Sequence, residues 1–325
     1  MIQLYPVIAN ELIGIQPMTG PVGQIHTLRV RYANSFTGTA GGSTTAGDEA
    51  LSPFKIAEGY SGNTNGKADA TAAKEAVAGN QLSIQILKQT VEAKSRKLSA
   101  RWTFEAAQDA QAQQGIDIEA EIMAALAQEI TAEIDQEILT SLATLAGTNN
   151  TIAWNQTQVS GVATFVGDEH ASLAVAINRV ANTIAQRTRR GAGNWAVVSP
   201  TALTILQSAT TSAFARTTEG TFEAPTNTKF VGTLNSAMKV YVNTYAANDD
   251  VLIGYKGSTE SDAAAFFCPY IPLMSSGVVL DPSTFEPVVS FLTRYGYVEL
   301  TSTSSSLGNA ADYLGKVTVA QASFF

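Results

Sequence analysis

Apolar and polar residues alternate from Gln24 to Tyr32. His26, Leu28, Val30 and Tyr32 fall on one face of an extended chain, and Ile25, Thr27, Arg29 and Arg31 on the other. The same period of two returns in QLSIQILKQTVEAKSRKL, where Leu82, Ile84 and Ile86 share a face. The two runs predict the legs of one long hairpin. Residues 34–80 between them are poor in large apolar residues and offer no credible core. A structureless connection longer than about 12–15 residues is usually functional or mobile. A lone two-stranded hairpin is marginal in water, so this one is expected to lie against another element, with a second subunit as one candidate.

Upstream, Pro17 and Pro21 fix φ, remove two donors and push Gln16 and Gly20 away from the helical region, which predicts an extended arm. Downstream the period lengthens. RWTFEAAQDAQAQQ reads as a helix ending at Gly115, and a second, longer helix follows. In it Ile118, Ile122, Leu126, Ile130, Ile134, Ile138 and Leu142 recur every fourth residue. Four residues advance a helix by roughly 400°, so the stripe creeps by about 40° per step. Either the helix changes contact partners along its length, or it is a long core helix whose alanines complete the face. From Asp168 the pattern is α/β: helical DEHASLAVAINRVANTIAQR, a short buried strand in NWAVVSP and a helix in PTALTILQ. A polar loop from Arg216 to Lys229 leads to strands in KVYVNTY, VLIGYKG, AAFFCPYIPLM and PVVSFLTRYGYVEL, and a last strand lies in DYLGKVTVAQ. No internal repeat is evident.

Charge changes this picture in one place. Eleven carboxylates and no Lys or Arg lie between Trp102 and Asn178, while basic residues cluster on both sides, Lys88 to Arg101 and Arg179 to Arg190. Such a run is either a solvated face or a surface for pairing between copies of the chain. The net charge of −8 and the pI near 4.9 argue against a protein that coats nucleic acid. At 325 residues the chain can form one to three lobes. A single cysteine, Cys268, rules out an intrachain disulfide and a cysteine-based zinc site. No stretch reaches the roughly 18 apolar residues that span a bilayer, and no signal sequence opens the chain, so no membrane partner is expected.

Candidate chemistry is sparse. His26 sits on the apolar face of a predicted strand, where a satisfied structural histidine is expected. Asp168, Glu169 and His170 could be drawn as a metal site, but neighbouring positions on a helix point apart, and Asp168 as a helix cap explains them more simply. Cys268 has no basic neighbour to lower its pKa and is expected to be buried and inert. No nucleophile elbow, phosphate loop or H-E-x-x-H is present, and Gly191-x-Gly193 precedes a strand where a dinucleotide loop would follow one. No catalytic residue, metal or cofactor is expected.

Three blocks carry a resemblance. QPMTGPVGQIHTLRVRY, residues 16–32, resembles the opening signature of the T-even phage major capsid protein family. VEAKSRKLSARWTFEAAQD, residues 91–109, resembles that family's passage into its long helix. The most specific block is YKGSTESDAAAFFCPYIPLM followed by DPSTFEPVVSFLTRYG, residues 255–296. The resemblance implies an α+β fold of the Hong Kong type, with an N-terminal arm (1–23), an E-loop hairpin (24–92), a peripheral domain with a spine helix (93–165 and 284–325) and an axial domain (166–283). It further implies an icosahedral shell of hexamers and pentamers around double-stranded DNA, without sequence-specific binding. Scaffold, portal, prohead protease and decoration proteins are the implied partners, with assembly in the host cytoplasm. Arm and hairpin are then expected to reach outside their own subunit. Expected contacts between subunits are Arg29 and Arg31 on the hairpin, Glu129, Glu133 and Glu137 in the acidic run, and Arg216, Glu219 and Glu223 in a loop facing the capsomer axis. Two departures from the larger T-even members stand out. Residues 34–80 are too short for the module those members insert, and no propeptide precedes the opening block, so the chain is a processed form or matures differently. A vertex paralogue of the same family, an encapsulin-type nanocompartment shell and a metal-dependent hydrolase built on Asp168, Glu169 and His170 are the rival readings.

Overall fold

The computed structural model describes residues 8–39, 42–48, 50, 57–75, 77–146, 150–156, 166–188, 190–209, 214–216, 229–235, 237–258, 262–300 and 310–321. A short helix α1 (Ala9–Leu12) and strand β1 (Gly14–Ile15) precede the hairpin of β2 (Val22–Tyr32) and β3 (Leu82–Glu92), with a one-turn helix α2 (Thr71–Lys74) in its connection. Strand β4 (Lys94–Arg101) leads into α3 (Phe104–Gln114) and the long helix α4 (Ile118–Ala146). Then come β5 (Thr151–Asn155), α5 (Val166–Thr188), β6 (Trp195–Val198), α6 (Pro200–Ser208) and β7 (Phe214–Arg216). The chain continues through β8 (Lys229–Leu234), β9 (Met238–Val242), β10 (Asp250–Gly254), β11 (Ala265–Ser275), β12 (Val279–Leu280) and β13 (Pro287–Glu299). A 3₁₀ turn (Ala310–Tyr313) precedes β14 (Leu314–Gln321).

The helix ends follow local chemistry. Thr103 caps α3 by accepting from Ala106 N–H at 3.3 Å, and Gly115 closes it in the left-handed region at φ 66°. Ser199 caps α6 in the same way, ahead of Pro200, whose missing N–H costs nothing in the first turn.

Two sheets share the body. The larger runs β5-β14-β10-β6-β9-β8-β7, and the smaller runs β1-β11-β13-β12 with β4 on β13. Strand β6 shows why the first is buried on both faces: Trp195 and Val197 join the core under α4, while Ala196 and Val198 join the core under α5 and α6. Gly254 is forced by that packing, since a Cβ there would lie 2.0 Å from the Trp195 ring. Strand β13 alternates cleanly, with Val289, Phe291, Thr293 and Tyr295 buried. Helix α4 packs on β4, β13 and β14, so it serves both sheets.

Three expectations are corrected here. Residues 8–18 do not reach away from the body. Ile8, Ala9, Leu12 and Ile13 are buried in the main core, and β1 lies parallel to β11. Gln16 and Met18 donate to Phe267 O at 3.0 Å and Pro269 O at 2.9 Å, which leaves Pro17, lacking a donor, at the position where none is needed. The segment from residue 34 to 80 also has a small core of its own. Tyr32, Phe36 and Tyr60 meet edge to face, and the Tyr60 hydroxyl donates to Gln81 O at 2.7 Å, so three rings and one phenol close the loop at its neck. His26 is exposed, because at the base of β2 the buried side chain is Ile25 on the opposite face.

Candidate assembly surfaces

Among the described residues, the hairpin meets the body at its base. Strands β2 and β3 pair over their full length, from Val22 with Glu92 to Tyr32 with Leu82. At the base Val91 is buried beside Gly296, and Gln89 Nε2 donates to Glu299 O at 2.7 Å. Further out, Leu82, Ile84 and Ile86 are 55%, 67% and 67% exposed. Three large aliphatic side chains on one strand face are thus left in water, as the alternation and the absence of an internal partner require. Arg31 is half-buried on the hairpin, and its Nε has no hydrogen-bond partner among the described residues. The side chain of Arg29 lies outside the described residues.

The acidic run divides between two environments. Glu133 and Glu137, one turn apart on α4, both meet Arg96 of β4, which donates to Glu133 Oε2 at 2.6 Å and to Glu137 Oε2 at 2.5 Å. Arg96 Nε donates to the Tyr295 hydroxyl at 2.6 Å, and that hydroxyl donates to Glu137. Burial alone would raise the Glu137 carboxyl, but hydrogen bonds from Tyr295 and Arg96 outweigh it and hold the group below its ordinary value. Burial and the adjacent carboxylate push the Tyr295 phenol up to about 12. Two of the carboxylates expected at a subunit contact are therefore engaged inside the chain. Glu129, one turn earlier, is exposed and lines an open groove with the other two and Tyr245.

The remaining expected contacts fall at β7 and beyond it. Arg216 ends β7, but its side chain lies outside the described residues, as do Glu219 and Glu223. The apolar tip formed by Phe104 and Phe285, with ring centroids 5.7 Å apart, was not expected. Phe285 is exposed and sits at φ 58°, in a turn where its N–H donates to Asp281 O. The Thr-Phe-Glu-Pro sequence that follows Asp281 signals a turn, but not which side chain it lifts out.

Of the hydrolase candidates, Asp168 falls within α5 with its side chain outside the described residues, and Glu169 and His170 turn to different partners. His170 Nδ1 lies 2.5 Å from Ser208 Oγ, whereas Glu169 accepts from Gln156 Nε2 at 2.8 Å. Burial lowers the His170 pKa, and the imidazole is enclosed between α5 and α6. Cys268 is buried in β11, and burial pushes its thiol up to about 11.

This arrangement of two sheets, a long helix serving both, and a projecting hairpin is the Hong Kong-type α+β fold of tailed-phage capsid proteins. Over 99% of the chain it resembles a Mycobacterium phage Adephagia structure, with TM-score 0.58, 12% identity and 92% of that chain covered. Over 98% of the chain it resembles a structure described as the capsid of Myoviridae phage XM1, with TM-score 0.52, 9% identity and 93% of that chain covered. The family model for Major capsid protein Gp23 matches residues 3–319, and the chain belongs to that family. It is 30% identical to the major capsid protein of Vibrio phage KVP40 over 94% of this chain and 76% of that protein. It is 32% identical to that of Enterobacteria phage T4 over 76% of this chain and 48% of that protein. The family is a structural one, of major capsid proteins of T4-like phages, and these matches favour neither a vertex paralogue nor a nanocompartment shell.

Proposed function

We propose that copies of this chain form the hexamers and pentamers of an icosahedral phage head, and that the outward face of β3 is one of the contacts that joins them. The observation that carries this is the exposed row Leu82, Ile84 and Ile86 on a hairpin that, among the described residues, meets the body at its base. A two-stranded sheet with one such face gains stability by covering it, and in a shell another copy is always at hand. In this reading β2 and β3 form the E-loop. Helix α4 is the spine, the sheet of β4, β11 and β13 lies in the peripheral domain, and the sheet around β6 and β10 lies in the axial domain. Strands β5 and β14, sequence-distant from β6, then extend the axial sheet, although their residue numbers fall in the ranges expected for the peripheral domain.

The head encloses double-stranded DNA without reading its sequence, and the acidic balance suits a lumen from which DNA must leave again. Assembly takes place in the host cytoplasm with a scaffold, a portal and a prohead protease, and decoration proteins bind outside. The chain has no catalytic role. Arg29 and Arg31 pair with carboxylates of a neighbouring subunit, Glu129 being one exposed candidate, while Arg216, Glu219 and Glu223 belong to a loop near the capsomer axis. Purified protein carrying Ile84→Asp and Ile86→Asp tests the central point by sedimentation and electron microscopy. Free subunits or small capsomers are expected in place of shells. Shells formed at the unmodified protein's yield would overturn the proposal.

A further inference from the structure

Asp135 lies in the middle of α4, on the side away from the Arg96 cluster, and is only 3% exposed. The backbone N–H of Ile8, at the start of α1, donates to its carboxylate. Its Oδ1 has no hydrogen-bond partner among the described residues. The cations on the neighbouring elements are committed elsewhere. Lys239 of β9 binds Glu11 at 2.9 Å, with the Tyr241 hydroxyl on the same carboxylate, and Lys256 after β10 donates to Asn10 O at 2.7 Å. Arg96 of β4 faces Glu133 and Glu137. Among the described residues, Glu11, Lys239, Tyr241 and Lys256 are ionisable groups beside α1, and none of them forms an ion pair with Asp135. A carboxylate in this position loses hydration and regains one N–H donor, too little to offset burying a full charge.

We propose that Asp135 is a proton-operated latch between the spine helix and the N-terminal segment: with the carboxyl neutral, residues 8–18 stay seated in the core, and with it ionised they are driven out. The geometry suits this because the group's one bonded partner is the first turn of that segment. Ile8 and the residues that follow it in the segment, Ala9, Leu12 and Ile13, are buried, so releasing them exposes the partner of Asp135 to water. Burial, opposed in part by the Ile8 N–H, pushes the carboxyl up to about 7, inside the range that a cell or a buffer change can cross. The sign follows. The unfolded or released form titrates at an ordinary carboxyl value, so seating is strongest at low pH, weakens as pH rises from that value to about 7, and changes no further once the seated carboxyl is ionised as well. The latch belongs to the single chain and does not depend on how copies assemble.

Hydrogen exchange of the full-length protein at pH 6 and pH 8.5, corrected for intrinsic amide rates, tests it. Opening of residues 8–18 is expected to be about tenfold greater at pH 8.5 than at pH 6, with the rise complete near pH 7 and level above it, while strands β6 and β10, in the same sample, keep their protection. Asp135→Asn should remove the pH dependence in residues 8–18. Asp135→Ser serves if the asparagine variant does not fold, and the unmodified protein's profile is decisive without either. Equal opening at the two pH values, or a pH dependence that survives in a folded Asp135 variant, overturns the proposal.

Discussion

The seven-stranded sheet and the β2–β3 hairpin are both built from alternating strands, yet one is sealed on both faces and the other is bare on one. In β6, and in Val251, Leu252 and Ile253 of β10, every side chain meets either the core beneath α4 or the core beneath α5 and α6. In β3 the same alternation leaves Leu82, Ile84 and Ile86 in water. The difference lies in what covers the strands, and strand propensity plays little part. Stability of the isolated subunit should therefore reside in the first region and interaction capacity in the second, a division that mutations can break or sharpen.

The largest effect is expected from Ile253→Ala. Ile253 is fully buried in β10, and the substitution should cost about 2–5 kcal/mol in denaturant unfolding of the subunit. A cost below about 1 kcal/mol would mean that the sheet is not the stabilising region. Next is pH. Because burial depresses the His170 pKa, the native state resists protonation that the unfolded chain accepts. Stability from the α5–α6 region should be intact above the histidine's ordinary value near 6.5 and fall as pH drops below it, the reverse of the Asp135 dependence. Exchange rates of α6 amides between pH 7 and 5.5 read this out, and a His170→Gln variant should show no such trend. Arg96→Ala comes third, at about 1 kcal/mol, because the Arg96–Glu133–Glu137 cluster is partly solvated. Loss of the guanidinium should also let the Glu137 carboxyl titrate higher, which carbon-detected NMR would register. The smallest effect is the most informative: Ile84→Ala should change subunit stability by less than about 0.5 kcal/mol, since the side chain is already in water. A clear destabilisation would show that the face is covered within the chain and would undo the comparison.

Much of this was legible from local pattern. The hairpin legs, the helices around Gly115, the α5-β6-α6 order and the creeping stripe of α4 all follow from periods of two and near 3.6 and from Thr103, Gly115, Ser199 and Pro200 at helix ends. The poverty of residues 34–80 was also legible, but three aromatic rings, Tyr32, Phe36 and Tyr60, were enough to form a cluster that no window of sequence displays. Of the expected contact residues, Glu133 and Glu137 bind Arg96 within the chain, across 37 and 41 residues.

By itself, the sequence determined which residues alternate, where helices start and stop, and that a large apolar face on β3 would lack a partner nearby in the chain. These depend on φ/ψ preference and on side-chain period, which act over a few residues. Tertiary structure decided that the proline-marked N-terminal segment is threaded into the core against β11, that Asp135 meets Ile8, and that Arg96 takes two of the acidic helix's carboxylates. Those contacts join residues far apart in the chain. The first two exist because burying Ile8, Leu12 and Ile13 removes more apolar surface from water than an extended arm could, and the third because β4 is laid beside α4, both set by topology and not by any local pattern.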